Sequence, residues 1–169
     1  METILWIEKY LAVAEESMFD GRVEEGFNIL NGLLFEEPGY GPLHNDLGWM
    51  YMYHANDAAK AEMHFRMAIR FEADYAPPYL HMGTLLNRAG RHAEAIEYFR
   101  AGLPKPEALR TSLLEGMGHA YEMQGQYRKA IRAYREAATA SVVDLEVDRM
   151  LNGVKRCHRK RIAVLFSFL

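Results

Sequence analysis

Cysteine is nearly absent from this sequence of 169 residues. Cys157 is the only one, so no disulfide can form within the chain and no cage of several thiolates can hold a metal ion. No apolar run approaches the length of a membrane-spanning helix, and the N-terminus lacks the basic segment and apolar stretch of a secretory signal. We therefore expect a cytoplasmic protein without a structural disulfide.

Catalytic and cofactor-binding motifs are missing as well. The sequence contains no Gly-rich phosphate loop, no nucleophile elbow and no HExxH motif. His119 and Glu122 lie one helical turn apart, and His81 could approach them, which leaves a metal site of two histidines and one carboxylate as an alternative. Because lone histidines are common on helix surfaces, we expect no metal, no cofactor and no enzymatic activity.

The formal net charge is only −3, but the charges are unevenly placed. The first forty residues contain nine acidic side chains against two basic ones, whereas residues 155–161 read KRCHRKR. Such runs are usually solvated faces, and opposite charge at head and tail also permits head-to-tail association between molecules. With so small a net charge, a nucleic-acid partner is not expected.

A recurring pattern of small and large apolar residues organises most of the chain. In residues 79–86, Tyr79, Met82, Gly83 and Leu86 fall at i, i+3, i+4 and i+7, the spacing of one helical face. Gly90 interrupts this periodicity, and a second helical pattern follows at once, carried by Ala95, Ile96, Phe99 and Gly102. The pattern predicts two antiparallel helices joined by a tight turn, with small residues where the helices press together.

The same order of residue types recurs at 114–137, at 47–68 and, in degraded form, at 10–38. In the copy at 47–68, Asn56 and Asp57 stand in place of the turn glycine. Gly48, Gly83 and Gly118 are each separated by about 35 residues, near the period of helix-turn-helix repeats. Over residues 7–144 the chain resembles the tetratricopeptide repeat family.

The resemblance implies an all-α, right-handed superhelical solenoid of about four antiparallel helix-turn-helix repeats. We expect a single domain over 1–169, with repeats at approximately 7–40, 41–75, 76–110 and 111–144. A capping helix and a basic, apolar tail would occupy 141–169. Ser141 and Asp144 could cap that helix, and its apolar face would be formed by Val147, Met150, Leu151 and Val154.

The resemblance also implies that the first helix of each pair lines a concave, peptide-binding wall. In the register of the repeats, the residues on that wall are Glu15, Phe19, Asn45, Trp49, Met52, Tyr53, Leu80, Thr84, Asn87, Arg88, Glu115, His119, Glu122 and Met123. The wall carries no lysine, and its three glutamates would repel a C-terminal carboxylate. We therefore expect a protein or peptide ligand that is apolar or basic. Trp49 either anchors that ligand or packs between neighbouring first helices.

The tail supports a different hypothesis. If residues 144–169 form one helix, its last turns extend past the repeats with apolar surface exposed. The tail residues concerned are Lys155, Arg156, Arg159, Lys160, Arg161, Ile162, Leu165 and Leu169. They could mediate self-association as a homodimer, enter another molecule's groove or bind an anionic membrane surface. Self-association ranks first, membrane contact second and a nucleic-acid role last. The remaining alternative is a frayed, disordered end.

Together these observations predict a non-catalytic protein-interaction module or scaffold. The competing hypothesis is an assembly or membrane-recruitment element that acts through the C-terminal helix, with self-association first.

Overall fold

The computed structural model describes residues 2–106 and 109–166, and these residues form helices and no strand. The all-α prediction is therefore confirmed for them. The helices are α1 (Glu2–Phe19), α2 (Val23–Glu36), α3 (Gly41–Tyr53), α4 (Ala58–Phe71), α5 (Pro77–Arg88), α6 (His92–Gly102), α7 (Arg110–Met123), α8 (Tyr127–Ala140) and α9 (Asp144–Phe166). They form four helical hairpins followed by one further helix, as the repeats predict.

The turn inside each hairpin requires a left-handed backbone conformation. Gly21, Gly90 and Gly125 have φ values of 80°, 76° and 71°, and Asn56 has φ 51° at the equivalent point of the second hairpin. Asparagine is one of the few side chains that tolerate this region. The neighbouring Asp57 then caps α4, because its side chain accepts a hydrogen bond of 3.0 Å from the Lys60 backbone N–H.

The helices group into two compact units, unit 1 at residues 1–78 and unit 2 at residues 79–169. In unit 1, helices α1, α2 and α3 share one apolar core. Its buried members are Ile7, Leu11, Ala14, Met18, Leu30, Leu33, Leu43, Leu47 and Met50, with Trp6 and Trp49 packed against them. Because these are the two tryptophans of the chain, tryptophan fluorescence follows the unfolding of unit 1.

Two histidines are buried together between α3 and α4. His44 Nε2 lies 2.9 Å from the Pro38 carbonyl oxygen, so this nitrogen carries the proton and donates it. His44 Nδ1 must then accept from His64 Nδ1 at 3.0 Å. The His64 ring also stacks on Tyr51, with ring centroids 5.4 Å apart. Burial, with smaller effects of His44 and Lys60, lowers the pKa of His64 to about 4.

Unit 2 is organised around two aromatic rings that lie against helix backbones. A Cβ atom at Gly118 would lie 2.8 Å from one edge of the Tyr134 ring, and one at Gly153 would lie 3.0 Å from the other edge. Gly83 on α5 and Gly116 on α7 both lie against the Phe99 ring, close to its Cε1 and Cζ atoms. Each ring of a second helix is therefore held between its own first helix and the next one.

Helix α9 occupies the place of a fifth first helix. Gly153 follows Gly118 by the same 35 residues that separate the earlier glycines, and its contact with Tyr134 sets α9 against α8. The buried face of α9 consists of Met150, Gly153, Val154 and Cys157. Leu151, which the sequence placed on this face, is 40% exposed, because the face is set by Gly153 rather than by the apolar spacing.

A buried carboxylate ties α9 to the fourth hairpin. The Glu122 side chain on α7 is 3% exposed and accepts hydrogen bonds of 2.7 Å from Arg156 and from Lys160 on α9. The Tyr134 hydroxyl donates a further bond of 3.1 Å to it. Burial alone would raise the pKa of Glu122, but these hydrogen bonds outweigh it and lower the pKa to about 2.

We expect His64→Asn to remove a pH dependence of unit 1 stability. Because the folded-state pKa of about 4 lies below the ordinary 6.5, the unfolded chain binds the proton more readily, and stability falls as pH drops from 6.5 to 4. The loss from this group is up to about 3 kcal/mol. Urea titrations followed by tryptophan fluorescence should show a smaller loss in the variant, whose amide still donates to His44. Parallel pH curves would contradict the assignment.

We expect Glu122→Gln to destabilise unit 2 by about 2 kcal/mol. This loss is smaller than that for a fully buried ion pair, because Arg156 and Lys160 are 47% and 44% exposed and solvent screens their charges. Hydrogen exchange across α9 and urea unfolding followed by circular dichroism measure the loss. The matched control is Glu115→Gln, which also removes a bridge between α7 and α9 but an exposed one. Equal effects of the two changes would mean that the Glu122 cluster does not hold α9.

Candidate partner-binding faces on the first helices

The predicted wall residues of unit 1 divide into buried and accessible ones. Asn45 and Met52 on α3 are buried, at 4% and 7% exposure. Glu15 and Phe19 on α1 are exposed, Phe19 at 87%, and Tyr53 is 43% exposed at the end of α3. The accessible surface of this wall therefore consists of fewer side chains than the sequence register suggested.

Trp49 lies between these two groups. It is partly buried and packs against the core of unit 1, as the packing alternative predicted. Its ring centroid also lies 5.0 Å from that of Tyr53 and 5.3 Å from that of His54. Trp49 thus supports the position of the exposed Tyr53 ring while contributing part of its own edge to the surface.

Asp46 is an additional acidic residue on this wall that the sequence analysis did not single out. Burial, and then the charge of Glu15, raises the pKa of the Asp46 carboxyl to about 7, although a hydrogen bond of 3.2 Å from Asn45 opposes the shift. Asp46 also raises the pKa of Tyr75, after burial. Its position three residues before Trp49 was the signal available in the sequence. Glu15, Asp46, Trp49 and Tyr53 are called the acidic-aromatic face below.

The first helices of unit 2 are joined by polar side chains at the period of the repeats. Asn87 on α5 donates to His119 Nδ1 on α7 at 3.0 Å, across 32 residues, and accepts a bond of 2.6 Å from His92. Glu115 on α7 pairs with Arg149 on α9 at 2.7 Å, across 34 residues. These wall residues of unit 2 are therefore engaged by side chains of neighbouring helices.

The remaining predicted residues of unit 2 differ in accessibility. Thr84 is half-buried and donates its hydroxyl proton to the Leu80 carbonyl at 2.8 Å. Arg88 and Met123 are exposed, Met123 at 54%. Glu122 is buried and engaged by Arg156 and Lys160, so its carboxylate faces the chain's own cations instead of a ligand.

The metal alternative does not match these contacts. Glu122 already accepts from two cations and a hydroxyl, and His119 Nδ1 accepts from Asn87. Burial lowers the pKa of His81 to about 4. Within residues 2–106 and 109–166, no group of three His, Cys, Asp or Glu side chains is arranged to hold a metal ion.

The tail residues also divide. Arg156 and Lys160 bind Glu122, whereas Lys155, Arg159, Ile162 and Leu165 are exposed, Leu165 at 65%. Leu169 lies outside the described residues. Of the helices in the described part of the chain, none combines the length and the apolar composition needed to cross a membrane.

A shallow cleft lies where the last turns of α9 pass the start of α8. Its volume is about 520 Å³. Its lining contains three cationic side chains, which are exposed or half-buried, and three apolar or aromatic ones. The cations are Arg128, Lys129 and Arg161, the apolar and aromatic residues are Tyr127, Val164 and Leu165, and Gly125 and Gln126 complete the lining. We call it the basic cleft.

Comparison with known proteins agrees with this architecture. The tetratricopeptide repeat model matches residues 76–103 and 112–141. A crystal structure of MamA protein is similar with a TM-score of 0.76 at 15% identity, over 92% of this chain and 82% of that one. PilW, described as a widely conserved type IV pilus biogenesis factor, gives 0.75 at 19% identity, over 91% and 75%.

A MamA structure from Desulfovibrio magneticus RS-1 gives a TM-score of 0.69 at 15% identity, over 94% of this chain and 93% of that one. No curated protein matches the sequence. At these identities the structural likeness establishes the fold alone. Two tetratricopeptide repeats therefore match the family model, and the described helices form an all-helical repeat fold like that of these solved structures.

Proposed function

We propose that the chain is a non-catalytic interaction scaffold whose acidic-aromatic face binds a basic peptide segment that carries apolar side chains. The observation that supports this most is the mutual repulsion of the Asp46 and Glu15 carboxylates on the face that also carries the exposed ring of Tyr53. Tetratricopeptide repeats and the similar solved structures support an interaction scaffold in general. The choice of face and of ligand is the proposal.

The electrostatics of Asp46 favour a cationic ligand. A carboxyl whose pKa is raised by burial and by a second carboxylate lacks a compensating positive charge. A lysine or arginine side chain of the ligand would supply that charge and lower the pKa again. The same charges disfavour a C-terminal carboxylate.

The aromatic part of the face suits the rest of such a ligand. Tyr53 presents 43% of its surface, and its ring is held by Trp49, so little conformational entropy is lost when a ligand covers it. An aromatic ring of this kind contacts an apolar side chain or the stem of a lysine or arginine, including the cation over its face. In unit 2, by contrast, the polar groups of the first helices already bind one another.

We expect basic peptides to bind more tightly than acidic peptides with the same apolar residues. A matched pair of synthetic peptides, with lysines exchanged for glutamates, can be titrated by fluorescence anisotropy. Asp46→Asn and Tyr53→Ala should each weaken binding of the lysine peptide about three- to tenfold. The controls Glu36→Gln and Phe35→Ala change exposed residues at the far end of α2. Equal binding of both peptides, or equal effects of the controls, would contradict the proposal.

The same face predicts a pH dependence of binding. Because the ionised Asp46 attracts the ligand's cation and its pKa in the free protein is about 7, affinity should rise as pH increases from 6 to 8. In Asp46→Asn the affinity should stay nearly constant over this range. Titrations of the lysine peptide at three pH values measure it, and an unchanged slope in the variant would exclude Asp46 as the source.

A second candidate function is assembly or membrane recruitment through the C-terminal helix. It is favoured by the exposure of Ile162, Leu165 and Phe166, at 51%, 65% and 69%. Deleting residues 155–169 is a poor test, because Arg156 and Cys157 belong to the packing of α9. The double variant Ile162→Ser, Leu165→Ser leaves that packing intact.

We expect this double variant to lose self-association or vesicle binding while its thermal unfolding is unchanged, since both side chains are exposed. Sedimentation velocity over a concentration series and co-sedimentation with phosphatidylserine vesicles measure the two activities. An effect on vesicles alone would favour membrane recruitment over assembly. No change in either assay would exclude the second candidate.

A further inference from the structure

We propose that the basic cleft of one molecule receives the corner between α1 and α2 of a second copy of this chain, with Phe19 inserted into the cleft. The proposal deepens the second candidate function and names its partner. It is independent of the acidic-aromatic face, because Phe19 and the cleft contribute nothing to the peptide contacts proposed there.

The basic cleft has the composition of a half-interface. Arg128 and Lys129 at the start of α8 and Arg161 on α9 surround Val164 and Leu165, which are 43% and 65% exposed. Lys155 and Arg159 add further exposed cations on α9. The segments 125–129 and 155–161 contain no acidic residue. An occupant must therefore provide an apolar group together with carboxylates.

The corner between α1 and α2 provides both. Phe19, the last residue of α1, is 87% exposed. Residues 16–25 around it contain four carboxylates and one guanidinium. Arg22 pairs with Asp20 and Glu25 at 3.0 and 2.8 Å.

Two exposed carboxylates of this corner, those of Glu16 and Glu24, do not take part in the Arg22 pairs. Glu16 precedes Phe19 by three residues on the same helix, and Glu24 lies in the first turn of α2. An aromatic side chain beside such carboxylates complements the apolar floor and basic rim of the cleft in both chemistry and charge.

A contact between two different surfaces is heterologous, and this has consequences for stoichiometry. Each copy keeps one unused corner and one unused cleft after the first contact, so association continues into open chains or closes into a ring. A tail-to-tail contact would instead stop at a dimer. The patch is small, so the association should be weak and should weaken further as salt screens its charges.

The test uses two variants that disable opposite sides of the contact. The corner variant is Phe19→Ser, Glu24→Lys, and the cleft variant is Leu165→Ser, Arg161→Glu. The matched control is Phe35→Ser, Glu36→Lys, which makes the same changes at an exposed Phe-Glu pair at the other end of α2. Circular dichroism melts confirm folding, and the single changes Glu24→Lys and Arg161→Glu replace either variant that does not fold.

Sedimentation equilibrium of the wild type at low salt should show a mass that rises with concentration beyond the dimer. Each variant alone should associate at least about tenfold more weakly, and the control should match the wild type. A 1:1 mixture of the corner and cleft variants should form a dimer and nothing larger, because each retains the surface that the other lacks.

Three results would overturn the proposal. A wild type that is monomeric at low salt excludes the contact, whereas a monomer at 0.5 M salt alone is expected because salt screens the charges. A corner variant that dimerises like the wild type would assign the cleft to a tail-to-tail dimer. A mixture that stays monomeric, with the cleft variant alone losing binding to phosphatidylserine vesicles, would assign the cleft to lipid and leave the second candidate function standing.

Discussion

The close approach between glycine and an aromatic ring is the contact on which both units depend. Two helices joined by a short turn can bury their facing apolar surfaces only if their backbones approach closely. Gly48 allows this approach because it has no side chain to collide with the Phe65 ring, and Gly118 does the same for Tyr134. In unit 2 a second glycine, from the following first helix, covers the other side of the ring. In unit 2 the ring therefore connects one hairpin to the next as well as closing its own.

The packing of α9 follows from the same geometry. Helix α9 keeps the glycine that packs on Tyr134, but Arg149, Asn152 and Arg156 occupy the positions 35 residues after the α7 side chains that pack toward α8. These polar residues cannot bury themselves against another second helix without a large desolvation cost. Two of them instead bind carboxylates of α7, namely Glu115 and Glu122. Two of the residues that distinguish α9 from α7 therefore also fasten α9 to α7.

Much of the fold was predictable because it depends on spacing. Helix number, turn positions and the substitution of Asn56 for a turn glycine all follow from periodicity and from the few residues that tolerate positive φ. The orientation of α9 was less predictable, because four apolar residues suggested one face and a single glycine determined another. Leu151 is exposed for that reason.

The candidate sites were harder to predict than the fold because accessibility depends on partners that are distant in sequence. The register placed Glu122 on a binding wall, and 34 residues later a guanidinium engages it. The sequence pattern did not distinguish Asp46, yet burial and the charge of Glu15 raise the pKa of its carboxyl to about 7. A repeat pattern specifies which backbone positions face outward, whereas charge pairing between neighbouring helices decides which of those side chains remain available to a ligand. In this chain the pairing satisfies the bridging carboxylates of unit 2. It leaves negative charge on the wall of unit 1 and positive charge at the cleft of unit 2.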